Sequence, residues 1–235
     1  LHVRSRRQRQ MCIRDSSIAL FLGINTFLLN SDVNFQSNFG EQQIVVLLDG
    51  SEVILNAKSE IKYNKKGWEE NREVYLNGEA FFKVKKGSKF TVITPNGTVT
   101  VLGTQFNVNS TKNFFDVSCY QGKVKVVSDS NEYIITPTKA VRNSNGLITE
   151  YNMSELDKTP TWLLGQSSFQ SVPLSQVIYA LNKQFNIDFE TSKIDTAILF
   201  TGSFDHKNLD LALASVFEAV NITYTIENNK ITLSK

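Results

Sequence analysis

Residues 94–108 read Thr94-Pro-Asn-Gly-Thr-Val-Thr-Val-Leu-Gly-Thr-Gln-Phe-Asn-Val108, and this stretch decides what kind of chain it belongs to. Val99 and Val101 alternate with Thr98 and Thr100, and Phe106 and Val108 alternate with Gln105 and Asn107. A period of two sends the apolar set to one face of a strand and the polar set to the other. Asn96-Gly97, ahead of the first run, is a pair that enters positive φ at little cost and closes a tight hairpin. The same alternation runs outward on both sides, in Glu52-Val-Ile-Leu55, Arg72-Glu-Val-Tyr-Leu76, Lys89-Phe-Thr-Val-Ile93 and Lys123-Val-Lys-Val-Val127. Asp49-Gly50, Asn77-Gly78 and Asn145-Gly146 read as further turns. Short strands with such punctuation over residues 43–158 predict an all-β domain: a sandwich, a barrel or a short solenoid.

From about Thr159 the rhythm changes. Leu174, Val177, Ile178, Leu181 and Phe185 form one helical stripe, with Pro173 in its first turn. Leu209, Ala212, Leu213, Val216 and Val220 form a second, with Asn208 as its N-cap. A shift of 35 residues lays one stripe on the other, bringing Phe169 onto Phe204 and Asn186-Ile187 onto Asn221-Ile222. Strands are expected around both helices and at Lys230–Ser234, beyond an Asn228-Asn229 turn. The reading for residues 159–235 is a small α/β domain of two βαβ repeats, so the whole is an α+β, multi-domain chain.

The start of the chain differs in composition. Arg4, Arg6, Arg7, Arg9 and Arg14 are five of its seven arginines. Residues 1–16 therefore read as a non-native segment, with a positive cytoplasmic flank as the competing reading. An apolar run, Ile18–Leu29, follows; it is short for a spanning helix of about 20 residues, and of three readings (part of a membrane helix, a signal-peptide core, a buried helix) the first is preferred, so residues 17–30 are expected to be part of a membrane helix. Residues 31–42, polar and without pattern, are expected to be a linker.

The formal charge of +2 comes from that arginine cluster; without residues 1–30 there remain 20 Lys+Arg against 22 Asp+Glu. No basic field is left for nucleic acid. Cys12 and Cys119 are too few for a disulfide framework or a zinc site, and Cys119 shares a strand face with Phe115 and Val117, as a buried apolar residue would. Catalytic raw material is sparse. His206 follows a strand and reads as a solvated loop residue, and Glu69-Glu70 sit in an apparent loop. Nucleophile elbow, zincin, P-loop and dinucleotide motifs are absent. Trp68 and Trp162 are expected in the core or at a hinge rather than as sugar-stacking platforms. No metal or cofactor is expected. The two modules are expected to grip another protein, without a deep polar cleft at their junction.

Several motifs, in order, resemble the FecR family of transmembrane anti-sigma regulators. Leu48-Asp-Gly-Ser-Glu-Val-Ile-Leu-Asn56, Gly78-Glu-Ala-Phe-Phe-Lys-Val84, the 94–108 stretch and Gln121-Gly-Lys-Val-Lys-Val126 match its β-domain. Trp162, Pro173-Leu174 and Thr201-Gly-Ser-Phe204 match its small C-terminal domain, itself similar to the signalling domain of TonB-dependent receptors. The resemblance implies a single-pass inner-membrane protein with most of this chain periplasmic. Its implied partners are the periplasmic signalling domain of a TonB-dependent outer-membrane receptor and, through a cytoplasmic domain not in this sequence, an extracytoplasmic-function sigma factor. Some family members cut themselves at a Gly-Thr bond, and Gly103-Thr104 is the matching pair; a bulge or tight turn explains the glycine equally well. A membrane-anchored carbohydrate- or peptidoglycan-binding module is the alternative function.

Overall fold

The computed structural model describes residues 32–235; the non-native segment 1–16 and the membrane helix 17–30 expected from sequence lie outside these residues. The first thirteen strands are β1 Asp32–Gln36, β2 Gln43–Val46, β3 Glu52–Leu55, β4 Glu60–Asn64, β5 Arg72–Lys83, β6 Phe90–Thr94 and β7 Gly97–Val101, then β8 Gln105–Thr111, β9 Phe114–Gln121, β10 Val124–Ser128, β11 Asn131–Ile135, β12 Lys139–Ser144 and β13 Leu147–Asn152. They form one curled sheet that doubles into two layers. The first layer runs β1-β4-β5-β6-β7-β10-β11 and the second β2-β3-β5-β8-β9-β12-β13. All pairings are antiparallel except β5 with β6.

The long strand β5 belongs to both layers. Arg72–Asn77 pairs with β4 and β6, and Gly78–Lys83 pairs with β3 and β8. The fold turns from one layer into the other at Gly78, which has φ +105°, and a Cβ there would lie 2.5 Å from Ser59 Oγ. Only glycine meets both demands. Asn77-Gly78 is therefore a mid-strand bend and not the hairpin turn expected from its composition; Asp49-Gly50 and Asn145-Gly146 do lie in turns, while the third hairpin turns on Pro95-Asn96, with Gly97 already the first residue of β7 and neither Asn96 nor Gly97 at positive φ. Even-numbered side chains of β5 (Val74, Leu76, Ala80, Phe82) face inward along its whole length, and the core between the layers closes around Phe82, stacked on Phe106 at 5.0 Å. Cys119 and Trp68 lie within it.

Residues 32–36, read as part of a linker, are instead the edge strand β1, paired along its length with β4. Its apolar residues Val33 and Phe35 are too few to show alternation, yet both pack on the core, and Phe35 stacks on Tyr63.

The C-terminal region contains β14 Gln166–Pro173, α1 Leu174–Phe185, β15 Asp188–Glu190, β16 Leu199–Asp205, α2 Leu209–Phe217, β17 Thr223–Glu227 and β18 Lys230–Ser234. The order strand-helix-strand occurs twice, but neither unit is a βαβ crossover within one sheet. β14 pairs antiparallel with β16, while β15 and β17 flank β18 in a separate sheet. The duplication explains this. Ser168 pairs with Ser203, its equivalent 35 residues on, so the two first strands run in opposite directions and complete each other. Phe169 and Phe204, equivalent in sequence, stack at 5.7 Å. The repeated Asn-Ile has a backbone cause: Asn186 and Asn221 both end helical segments at φ +54°, a conformation asparagine tolerates. Asn208 caps α2 by accepting from Leu211 N at 3.0 Å, and Pro173 stands at the N-cap of α1, one step before its first turn.

Candidate functional site: the domain junction

The outer face of the second layer alternates as its strands require. Glu79 and Phe81 of β5, Asn107 and Asn109 of β8, Asp116, Ser118 and Tyr120 of β9, and Arg142 of β12 all point away from the core. In the molecule the C-terminal domain covers them. Between this face, the connecting segment around Met153–Trp162 and helix α1 lies a cleft of about 490 Å³. The expectation of a junction without a polar cleft is thereby overturned: outward polar residues of a strand stay buried when a second domain docks on them.

Among the contacts that fasten the junction, which include hydrogen bonds from Gly40 N to the Lys183 carbonyl and from Gln42 to the Trp162 carbonyl, three carry most of the side-chain packing and charge. At one margin Trp162, 4% exposed, packs on Ile54 and Phe81, and its indole N–H donates to Asn107 Oδ1 at 3.2 Å. At the other, Phe114 of β9 leaves its own domain and joins the C-terminal core. Thr111 reaches across to Gln176 at 2.9 Å beside it. The third contact is Arg142. Its Nε donates to Asp116 Oδ2 at 2.5 Å, Nη2 to the Tyr151 hydroxyl at 3.0 Å, and Nη1 to the Gln170 carbonyl at 2.7 Å. The Tyr151 hydroxyl donates to Asp116, and burial followed by the Asp116 charge holds its pKa well up, so it remains a donor. The Gln170-Ser171 bulge of β14 that presents these carbonyls carries Ser171 at φ +49°.

Residues of opposite charge, Glu79 and Lys183, both line the cleft and influence each other electrostatically. Glu79 accepts from Asn56 at 2.8 Å and from Asn107 at 2.9 Å. Burial raises its pKa, and the two amides pull the other way. Lys183, in the last turn of α1 and 8% exposed, has one long hydrogen bond to Ser59 Oγ at 3.4 Å. Burial lowers its pKa to about 8, with Glu79 opposing the shift. Nothing in the lysine-rich sequence marks Lys183. A signal did exist for Arg142: beyond residue 30 only Arg72 and Arg142 use arginine, and both bridge a carboxylate to backbone carbonyls. That is chemistry suited to a planar five-donor group.

Gly103 and Thr104, singled out in sequence, lie away from this junction, between β7 and β8. A Cβ on Gly103 would sit 2.6 Å from Lys86 Cα, so the close approach of two backbones requires glycine there. The Thr104 carbonyl accepts from Val84 N at 2.9 Å, while its buried hydroxyl makes no hydrogen bond among the described residues. His206 is half-buried rather than solvated, 2.9 Å from Ser167 Oγ, and burial lowers its pKa. Glu69 and Glu70 are exposed in the β4–β5 loop, far from forming a paired site.

Comparison with known proteins agrees with this architecture. The FecR protein family profile matches residues 34–125, and the FecR C-terminal profile matches residues 166–233. Two crystal structures of a candidate anti-sigma factor from Parabacteroides distasonis ATCC 8503 superpose with TM-scores of 0.79 and 0.78. Each is 30% identical, and the match covers 87% and 86% of this chain and 99% of each of those chains. No curated protein matches. Both domains and the way they are joined thus recur in a relative, and the chain belongs to the FecR family of anti-sigma factors.

Proposed function

We propose that residues 32–235 are the periplasmic, signal-receiving part of a regulator held in the inner membrane by residues 17–30. In this reading the C-terminal domain docks on the periplasmic signalling domain of a TonB-dependent outer-membrane receptor. A cytoplasmic domain outside this sequence then holds or releases an extracytoplasmic-function sigma factor. The regulatory role follows from the family. The observation that carries the rest is the layout. Asp32, where the chain leaves the apolar run, lies at one end of the sandwich beside Asn64. Thr111 and Phe114, against which the C-terminal domain packs, flank the β8–β9 turn at the opposite end. A domain held distal to the membrane and fastened through a buried junction is placed to receive a partner and pass on its binding. The Gly103–Thr104 bond is, in this reading, the candidate for self-cleavage.

The carbohydrate-binding alternative loses its platforms, since Trp68 and Trp162 are each only 4% exposed. A pull-down of the purified chain with the receptor's periplasmic signalling domain, run beside a glycan array, tests the proposal. Capture of the receptor domain with a blank array is expected. Glycan binding without capture would replace the proposal with the alternative.

A further inference from the structure

The end of the sandwich where the chain begins its fold is assembled from loops distant in sequence. β1 starts there at Asp32, paired with Asn64, and the exposed Lys65 and Lys66 follow directly. β5 and β6 are parallel with Arg72 opposite Phe90, so the 84–89 loop returns to the same end with Lys85, Lys86 and Lys89 exposed. β7 ends beside the start of β6, which places exposed Leu102 there, and β10 starts alongside with exposed Lys123. The Asp49-Gly50 turn arrives too, tied to Arg72, and presents Leu48. From β1 to β10 this row spans five strand spacings, about 24 Å.

Charge is one-sided. Asp32, Asp49 and Glu52 are engaged by Lys62, Arg72 and Lys83. That leaves six exposed lysines against Glu69, Glu70 and Glu73, with Leu48 and Leu102, 54% and 62% exposed, among them. The platform is rigid: Arg72 donates to the carbonyls of Lys85 and Ser88, and Gly87 N donates to the Leu102 carbonyl at 2.8 Å. Only two residues, Asn30 and Ser31, separate the apolar run Ile18–Leu29 from Asp32, leaving almost no tether between whatever holds that run and this face. Residues 30–57 contain no Lys or Arg, so the segment next to the run carries none of the positive charge that would draw it to the cytoplasm, and the lysines gather only on folding.

We propose that this lysine end, with Leu48 and Leu102, rests on the anionic lipid surface of the membrane in which residues 17–30 are anchored. The inference relies on the anchoring proposed above and adds a second, electrostatic contact that fixes the orientation of the sandwich. Lysines within a screening length of an anionic surface are attracted additively, and apolar side chains among them enter the headgroup boundary.

The test uses the full chain with Cys12→Ser, reconstituted in vesicles of phosphatidylcholine with or without phosphatidylglycerol. The burial that pushes the Cys119 thiol up to about 11 keeps it unreactive. A fluorophore is placed at Leu102→Cys or, as the far-end control, at Leu147→Cys, 69% exposed in the β12–β13 turn. Quenching by headgroup-labelled lipid is expected at residue 102 and not at 147. It should be about twofold stronger with phosphatidylglycerol and be lost at about 1 M salt, where the screening length is about 3 Å. The triple variant Lys86→Glu, Lys89→Glu, Lys123→Glu should lose it while still floating with the vesicles. Equal quenching at both sites, or none at 102 in a chain that floats, overturns the lipid contact and leaves the anchor standing. A chain that a high-salt wash strips from the vesicles overturns the anchor, and the quenching at residue 102 before the wash then decides the lipid contact by itself.

Discussion

Lys183 shows how a single residue can tie the two domains together at a cost. Its ammonium is carried on α1 into the buried junction, 8% exposed, with one long hydrogen bond to Ser59 Oγ and the Tyr179 ring 5.1 Å away. The pKa near 8 says that burial outweighs the attraction of Glu79. The unfolded chain holds this proton with ordinary lysine affinity, so between about pH 8 and 10.5 it binds more protons than the folded chain, and stability rises with pH across that window. Below pH 8 both states are charged and the cost is complete. Lys183→Met is expected to raise stability at pH 7 by at most about 3 kcal/mol, less whatever Glu79 loses with its countercharge. Urea unfolding at pH 7 and near pH 9.5 should show the parent approaching the variant at the higher pH. A variant less stable than the parent at pH 7 would mean that the pair with Glu79 dominates instead.

Among the elements, β9 does the most to couple the domains. Val117 and Cys119 face the sandwich core, Asp116 and Tyr120 face the junction, and Phe114 at its start is 4% exposed within the C-terminal core. Phe114→Ala should cost about 3–4 kcal/mol. The loss falls on the smaller domain, whose own core is marginal at this size. A single calorimetric transition in the parent should split into two, with the C-terminal domain melting first; one unsplit transition would show that Arg142 and Trp162 couple the domains without it. The strands themselves were legible. Alternation in Gly97–Val101 and Gln105–Asn109 marked β7 and β8, and the 35-residue repeat marked both helices. The junction was not, because Asn107, Asp116 and Arg142 obey the same period-two rule whether water or a second domain lies above them. Pairing in the C-terminal domain was hidden for a related reason: the repeat gives equivalence between units, and only the Ser168–Ser203 register shows that the equivalence is antiparallel.

At the scale of the molecule, the interleaving of strands decides what a break at Gly103–Thr104 would do. An attack by Thr104 Oγ on the Gly103 carbonyl breaks the amide bond and forms an ester, freeing the Thr104 amine. Water then splits the ester into a Gly103 carboxylate and the restored Thr104 hydroxyl. That hydroxyl has no competing hydrogen bond among the described residues. The two products would be residues 1–103 and 104–235, but the fold does not divide there. β8 lies on the far side of the break and pairs through six residues with β5 on the near side. β7 pairs across it with β10, and the Phe82–Phe106 stack spans it within the core. A cut chain is therefore expected to elute from gel filtration as one species at the intact size and to separate into two fragments only in denaturant. Thr104→Ala should abolish the fragments and Thr104→Ser should keep them, as mass spectrometry of the denatured protein would show. Cleavage that persists in Thr104→Ala would remove the hydroxyl from the chemistry. Fragments that part without denaturant would show that the strands shared between layers do not hold the molecule together. If both expectations hold, the bond can break without releasing either piece, and any signal must come from a later force that pulls β5 away from β8.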